Sequence, residues 1–261
     1  MNLVELVKDF ALVCLIFVPL ERAFALRRGQ GVFRHGWGTD LLHVFITGIL
    51  TRVGSALLIV SIAGLFESLV PEPLRAAVAQ QPAWLALIEV IIIADLGFYF
   101  VHRAFHAIPW LWRFHAIHHS IEEMDFLAAH RVHPVDQILT RGATMIPIFV
   151  LGFAPEPMLL FSMIYHWQSI LIHSNTRIGA GPMRWIIVSP LFHHWHHANH
   201  PEAIDKNFAG QLSVIDVIFG TLHMPHGETP RMYGTDHPVP KSYIGQIVQP
   251  FRREHGATAA E

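Results

Sequence analysis

The sequence predicts an all-α integral membrane bundle of about four spans or re-entrant hairpins, with a histidine-rich site for two metals on its cytoplasmic side. Three observations lead there. Hydrophobic residues make up 52% of the 261-residue chain and charged ones only 15%, whereas a typical soluble domain is about 25% charged. Apolar runs long enough to cross a ~30 Å hydrocarbon core recur along it. Its 20 histidines equal the 20 acidic residues and exceed the 18 Lys and Arg, and lipid packing gives no reason for them, because imidazole is costly to bury without a partner. A net charge of −2 with histidine neutral leaves no basic field to attract nucleic acid. No repeat or low-complexity tract divides the chain, which reads as one domain over 1–261.

Residues 10–20 are apolar. Lys8 and Asp9 precede them, and Glu21, Arg22, Arg27 and Arg28 follow without a small-residue cleavage site, so the segment reads as a retained membrane helix. The single cysteine, Cys14, permits neither an intrachain disulfide nor a cysteine-based zinc site. Segment 41–66 carries one formal charge, Arg52, and 83–101 only Glu89 and Asp95; each is long enough to span. Segment 142–172 contains one charge, Glu156, between Pro155 and Pro157, and its arms fit a tilted or re-entrant hairpin. Basic residues collect at 21–40, 102–141 and beyond 173, while 67–82 has only Arg75. The positive-inside rule then places the histidine clusters in the cytoplasm, in a bacterial inner membrane or the endoplasmic reticulum.

The clusters share one grammar. His102 and His106 are four apart and lie on one helical face as the third apolar segment ends; His115, His118 and His119 repeat the face at i, i+3 and i+4, and so do His193, His196 and His197. Eight imidazoles in three helical sets suit two metals, each needing four or more nitrogens, with iron, zinc and copper all compatible with the donor. Isolated histidines such as His35, His226 and His237 read as surface or hydrogen-bonded residues. Haem would leave six of the eight without a task, and no His-Glu-x-x-His zincin motif is present. Asp95 is an intramembrane carboxylate and a functional candidate; a role in orienting a box histidine is preferred, and Asp136 and Asp216 invite the same reading. The aromatics Phe98, Tyr99, Phe100, Trp110, Trp112 and Phe114 read as interfacial belt and tunnel wall.

In this order the boxes His-x3-His, His-x2-His-His and a later His-x2-His-His resemble the fatty acid hydroxylase superfamily, also called the sterol desaturase family. The resemblance extends to Arg131-Val-His133-Pro134-Val-Asp136, His173-Ser-Asn175, Asn207-Phe208 and Asp216-Val-Ile-Phe219-Gly220-Thr221, covering roughly 85–221. It implies a cytoplasmic helical cap holding two iron ions above a lipid tunnel, and O2-dependent attack on an unactivated C–H bond. His173 enters as a ninth ligand and His133 as a ligand or support for the metals, with a weaker case for His130. Asn175 orders a bound water or His173, and His194 is an outer or exposed group. Zinc has no redox states and would be an inactive substitute.

Hydroxylation gives an alcohol, and loss of a second hydrogen an alkene; the two outcomes differ in substrate placement, and hydroxylation is favoured. No Gly-rich dinucleotide fingerprint and no His-Pro-Gly-Gly haem motif occurs, so electrons are expected from a separate ferredoxin or cytochrome b5-type donor drawing on NAD(P)H, docked on cytoplasmic arginines. Substituting His118 is expected to abolish turnover. The rival readings are a lipid desaturase proper, a membrane metal-binding or transport protein, and a degenerate scaffold. The second would need ligands within several spans, and the third is opposed by eight intact box histidines.

Overall fold

The computed structural model describes residues 3–252. Helix α1 (Leu3–Ala23) is followed by α2 (Trp37–Leu69), a run of 33 residues with a π-helical stretch at His43–Thr47. The short α3 (Glu72–Gln80) leads to α4 (Ala83–Ala107) and α5 (Pro109–His119). After a 3-10 turn at Phe126–His130 come α6 (Pro134–Leu151) and α7 (Pro155–His173), then α8 (Pro190–His196), α9 (Val214–Phe219) and α10 (Tyr243–Val248). Among the described residues there is no strand, only two isolated bridges. The fold is all-helical, as the apolar patterning predicts.

Among the described residues, helices α2 and α4 are the two long and apolar enough to cross a membrane. Only 22% and 28% of their most apolar windows is buried, which distinguishes them from the core helices of a soluble protein. Leu57, Val60 and Leu65 stand on the outside of α2 at 66–73% exposure, a surface that lipid can cover and water cannot without cost. At 1.5 Å per residue the 25 residues of α4 reach about 37 Å, longer than a ~30 Å hydrocarbon core. His102 and His106, in its last turns, therefore stand at or beyond the apolar layer.

Helix α6 packs between α2 and α4. The crossing with α4 is close because Gly97 has no side chain: a Cβ there would collide with the backbone carbonyl of Ala143, the small-residue contact that membrane helices use. The expected proline-framed hairpin is present, with Gly152 in the left-handed region (φ 82) ending α6 and Pro155 starting α7. The region of α5, α8 and the loops around residues 205–216 closes one end of this frame.

Candidate metal centre

The helices bring nine of the ten predicted ligands together in two groups. His102, His106, His115, His119 and His196 form one; His118, His173, His193 and His197 form the other; within each, the ligating atoms lie within 4.8 Å of one another. Local structure explains the convergence. Pro109 starts α5 at a position that needs no N–H, and Ser189 caps α8 by accepting from the Phe192 amide at 3.3 Å. The i, i+3, i+4 spacing then points His115 and His119 to one group and His118 to its neighbour, while His196 and the His193/His197 pair divide likewise.

The protons on these rings decide what the groups can do. His102 Nδ1 donates to the Phe208 carbonyl (2.7 Å), His118 Nδ1 to that of Arg131 (3.1 Å), His173 Nδ1 to that of Ser169 (2.6 Å) and His196 Nδ1 to that of Lys206 (2.9 Å). His115 Nδ1 donates to the Asp136 carboxylate at 2.7 Å. A carbonyl has no proton to offer, so each of these neutral rings presents a bare lone pair on Nε2. Yet Nε2 of His102 and His115 are 3.0 Å apart, and those of His118 and His173 3.2 Å. Nε2 of His106 and His196 are buried without a partner. Facing lone pairs at hydrogen-bond distance repel, and a cation between them turns the repulsion into coordination. The nitrogen-only donor set suits a first-row transition metal.

A single loop aligns three rings of the five-histidine group. Lys206 and Phe208 supply carbonyls, and the Asp205 carboxylate lies 3.2 Å from His106 Nδ1. Asp205 and Asn207 both adopt positive φ (57° and 60°), strained for residues with a Cβ. Asn207 holds the strain by donating to the carbonyls of Phe192 and His223 and accepting from the His223 amide. Asp216 accepts from the amides of Phe208 and Ala209 and from the Thr221 hydroxyl, so it braces the carbonyl that His102 uses.

Burial in this cap disfavours imidazolium. It pushes His118 down to about 4, and it holds His115, His119, His193, His196 and His197 well below the ordinary histidine value, with neighbouring histidines adding to the effect. Burial also brings His130 down to about 4. These groups bind fewer protons folded than unfolded, so stability is complete above the unfolded value near 6.5 and falls as pH drops toward 4. The slope is about 1.4 kcal/mol per pH unit for each such histidine. Thermal melts of the metal-free protein are expected to be flat above pH 7 and to fall steeply between 6.5 and 4; a constant Tm across that window contradicts the burial described.

The tenth predicted ligand is elsewhere. His133 caps α6: its Nδ1 accepts from the Val135 amide and its Nε2 donates to the Ile247 carbonyl, both at 3.1 Å, so neither nitrogen is free for a metal. Asp95 does not orient a box histidine. Its carboxylate accepts from the amides of Gly210, Gln211 and Leu212, pinning to α4 the loop that follows Phe208. Nor does Asn175 touch His173; it exchanges two hydrogen bonds with the backbone of Arg27 and donates its own amide to Glu21, tying the chain after α7 to the end of α1. His194 is buried, not exposed, between the Tyr233 hydroxyl and the Ser174 carbonyl. His130 lines a cavity outside both groups. The role of Asp136 matches its expectation, and Thr140 steadies it at 3.2 Å. Asp136→Asn is expected to weaken metal binding by about 10- to 100-fold through a loosened His115, measured as metal retained against a competing chelator; unchanged retention would remove Asp136 from the site.

Sequence reading missed Asp205 and the four carbonyls. Asp205 had a faint signal in its nearness to Asn207-Phe208; a backbone carbonyl has none.

Two openings flank the groups. A cavity of about 590 Å³ lies among α2, α6 and α7, and Ser169, whose carbonyl holds His173, is in its wall. A pocket of about 470 Å³ on the other side is bordered by His106, His119 and His196, with Arg113 and Arg252 at its edge.

The profile of fatty acid hydroxylases matches residues 87–221, half of the chain, with all three boxes inside it. This chain belongs to the fatty acid hydroxylase family. Among curated relatives it is 31% identical over 176 residues to an ornithine lipid hydroxylase from Rhizobium tropici, covering 67% of this chain and 53% of that protein. It is 34% identical to an alkylglycerol monooxygenase from Danio rerio (60% of this chain, 33% of that one) and 33% to the one from Homo sapiens (56% and 32%). The match thus spans about half of the rhizobial protein and a third of the animal ones. No solved structure matches the chain.

Proposed function

We propose that the protein is a membrane-bound, O2-dependent di-iron oxidoreductase that hydroxylates a C–H bond of a lipid, with electrons from a separate donor. The observation that carries this reading is the pair of imidazole cages whose lone pairs face one another at the end of membrane-length helices. His102, His106, His115, His119 and His196 would hold one iron, and His118, His173, His193 and His197 the other. Bound there, iron would supply the redox change and O2 activation that C–H attack requires. The chain's own task is positioning. Asp136, Asp205 and the carbonyls hold ring protons away from the metals, Asp95 and Asp216 hold the loop that carries two of those carbonyls, and the buried cap keeps water from the rings.

Relatives named as hydroxylases and monooxygenases favour an alcohol product over an alkene. The cavity among α2, α6 and α7 would receive the lipid from the membrane, and the pocket beside Arg113 and Arg252 would face an acidic ferredoxin or cytochrome b5-type donor fed by NAD(P)H. The grouping of arginines with the boxes supports a multi-pass topology with the cap in the cytoplasm. The test is iron-loaded protein in nanodiscs with a membrane lipid extract, a reducing partner and isotopically labelled O2. A lipid product carrying one labelled oxygen is expected. Dehydrogenated lipid alone would convert the reading to a desaturase, and product formed without O2 would end it.

A further inference from the structure

A third opening, of about 280 Å³, lies where α1 ends and the chain leaves α7, and it is lined by Arg22, Ala23, Ala25, Arg28 and Arg177. Three guanidiniums thus share one small space. The backbone fixes them there: Ala25 and Thr176 form an antiparallel bridge, the Arg177 amide donates to the Phe24 carbonyl at 2.8 Å, and Asn175 exchanges two hydrogen bonds with the backbone of Arg27. Other arginines of the region are answered inside the protein. Arg34 pairs with Asp40 and Asp125, and Arg27 donates to the carbonyls of Pro230 and Arg231 and lies over the Tyr233 ring. Arg22 donates to the Gln30 carbonyl at 3.0 Å, and no described Asp or Glu forms an ion pair with Arg22, Arg28 or Arg177. Glu21, the nearest carboxylate in sequence, is turned instead to the amides of Phe126 and Asn175.

The setting is the edge of an apolar surface. Leu12, Leu15 and Ile16 are exposed on α1, Phe24 is exposed beside the opening, and Arg22 stands about 9 Å along the helix beyond Ile16. Met183, Trp185, Ile186 and Ile187, also exposed, follow within ten residues of Arg177, and the Arg184 guanidinium lies over the Trp185 ring. Aromatic and basic residues mix in this way at a membrane–water interface. We infer that Arg22, Arg28 and Arg177 bind the phosphate of an anionic lipid headgroup at that interface. Guanidinium forks match phosphate in geometry and charge, and a space below the ~300–1,000 Å³ of a drug-sized site takes a headgroup and not a whole lipid. The exposed apolar residues favour a lipid over a soluble acidic protein. Binding would tie the connection between α7 and α8, at a point four residues after His173, to the membrane surface. The site asks for a membrane and is independent of the oxidation chemistry.

The test places the full-length protein in nanodiscs with equal mole fractions of phosphatidylglycerol and phosphatidylcholine, whose phosphate is neutralised by its own choline. Native mass spectrometry then reads the lipids that stay bound on release into detergent. Phosphatidylglycerol is expected to be retained about fivefold or more over phosphatidylcholine, the scale of one basic residue at an anionic surface. Arg22→Gln/Arg28→Gln/Arg177→Gln should bring the two lipids level, with Tm as the check on folding, and Arg22→Lys/Arg28→Lys/Arg177→Lys should keep part of the preference. Arg113→Gln/Arg252→Gln removes charge at the other opening and should leave the preference intact. Equal retention of the two lipids by the unaltered protein, a preference that survives the triple glutamine variant, or an equal loss in Arg113→Gln/Arg252→Gln overturns the site. So does displacement of the lipid by inorganic phosphate at the same concentration, which would make it a site for a soluble anion. Equal lipid retention, with binding of an acidic ferredoxin that the triple glutamine variant abolishes, would give the three arginines to the electron donor instead.

Discussion

Replacing His118 with alanine is expected to strip the four-histidine group of its metal and to lower O2-dependent lipid turnover by at least about a hundredfold. The scale follows from the weaker case: removing only the hydrogen-bonded support of a ligand costs about 10- to 100-fold, and here the ligand itself goes. His118 is buried, its Nδ1 proton is committed to the Arg131 carbonyl, and its Nε2 faces that of His173. No other described side chain stands ready to fill the place, because His130 and His133 lie outside both groups. The readouts are iron per chain by elemental analysis and labelled-oxygen product per iron, with the exposed His226→Ala as the control. A variant that keeps two irons and full turnover would refute the assignment of the cage as the reaction centre.

The second large effect is on folding. Asp40 bridges two arginines: one oxygen accepts from Arg34 Nη2 at 2.6 Å and the other from Arg131 Nε at 2.5 Å, while Arg34 also donates to Asp125 at 2.6 Å. All four side chains are buried, so the cluster is two cations and two anions sealed from water. Asp40→Asn leaves one uncompensated positive charge in that setting, and breaking such an arrangement costs about 3–5 kcal/mol. The loss is visible as a fall in Tm in detergent. Arg131→Gln added to Asp40→Asn restores neutrality, so the double variant should be more stable than the sum of the single effects predicts. Strict additivity would mean that the two side chains do not interact. The consequence reaches the metal group, since the Arg131 carbonyl takes the His118 proton.

What could be read without coordinates was whatever is local. The two membrane-length helices are runs of apolar residues, and the boxes announce themselves because i, i+3 and i+4 share a face on any helix. The partition into five and four was beyond reach. It depends on how α4, α5, α7 and α8 meet, and His118 and His119 are neighbours in sequence yet belong to different groups. His133 shows the same limit from the other side. Its sequence setting resembles a ligand's, but it faces the Val135 amide and the Ile247 carbonyl, and nothing in the chain announces that α10 returns there. Asp95 and Asn175 are polar groups placed near the site by motif; they serve the backbone of distant loops, which leave no side-chain trace. The Arg34, Asp40, Asp125 and Arg131 cluster joins residues up to 91 positions apart and was invisible for that reason.

The facing lone pairs also say something about how the molecule comes to exist. The nine histidines arrive from α4, α5, α7 and α8, emerging from the ribosome some 95 residues apart between first and last, and they are asked to meet in a place where, by themselves, they push each other away. The membrane helices can form as they are made, and metal, once bound, would add its binding free energy to the contacts that close the cap. Were that metal the iron of the proposed reaction, a cell short of it would be expected to hold less of the mature protein and lose more of it to proteolysis, as well as losing activity.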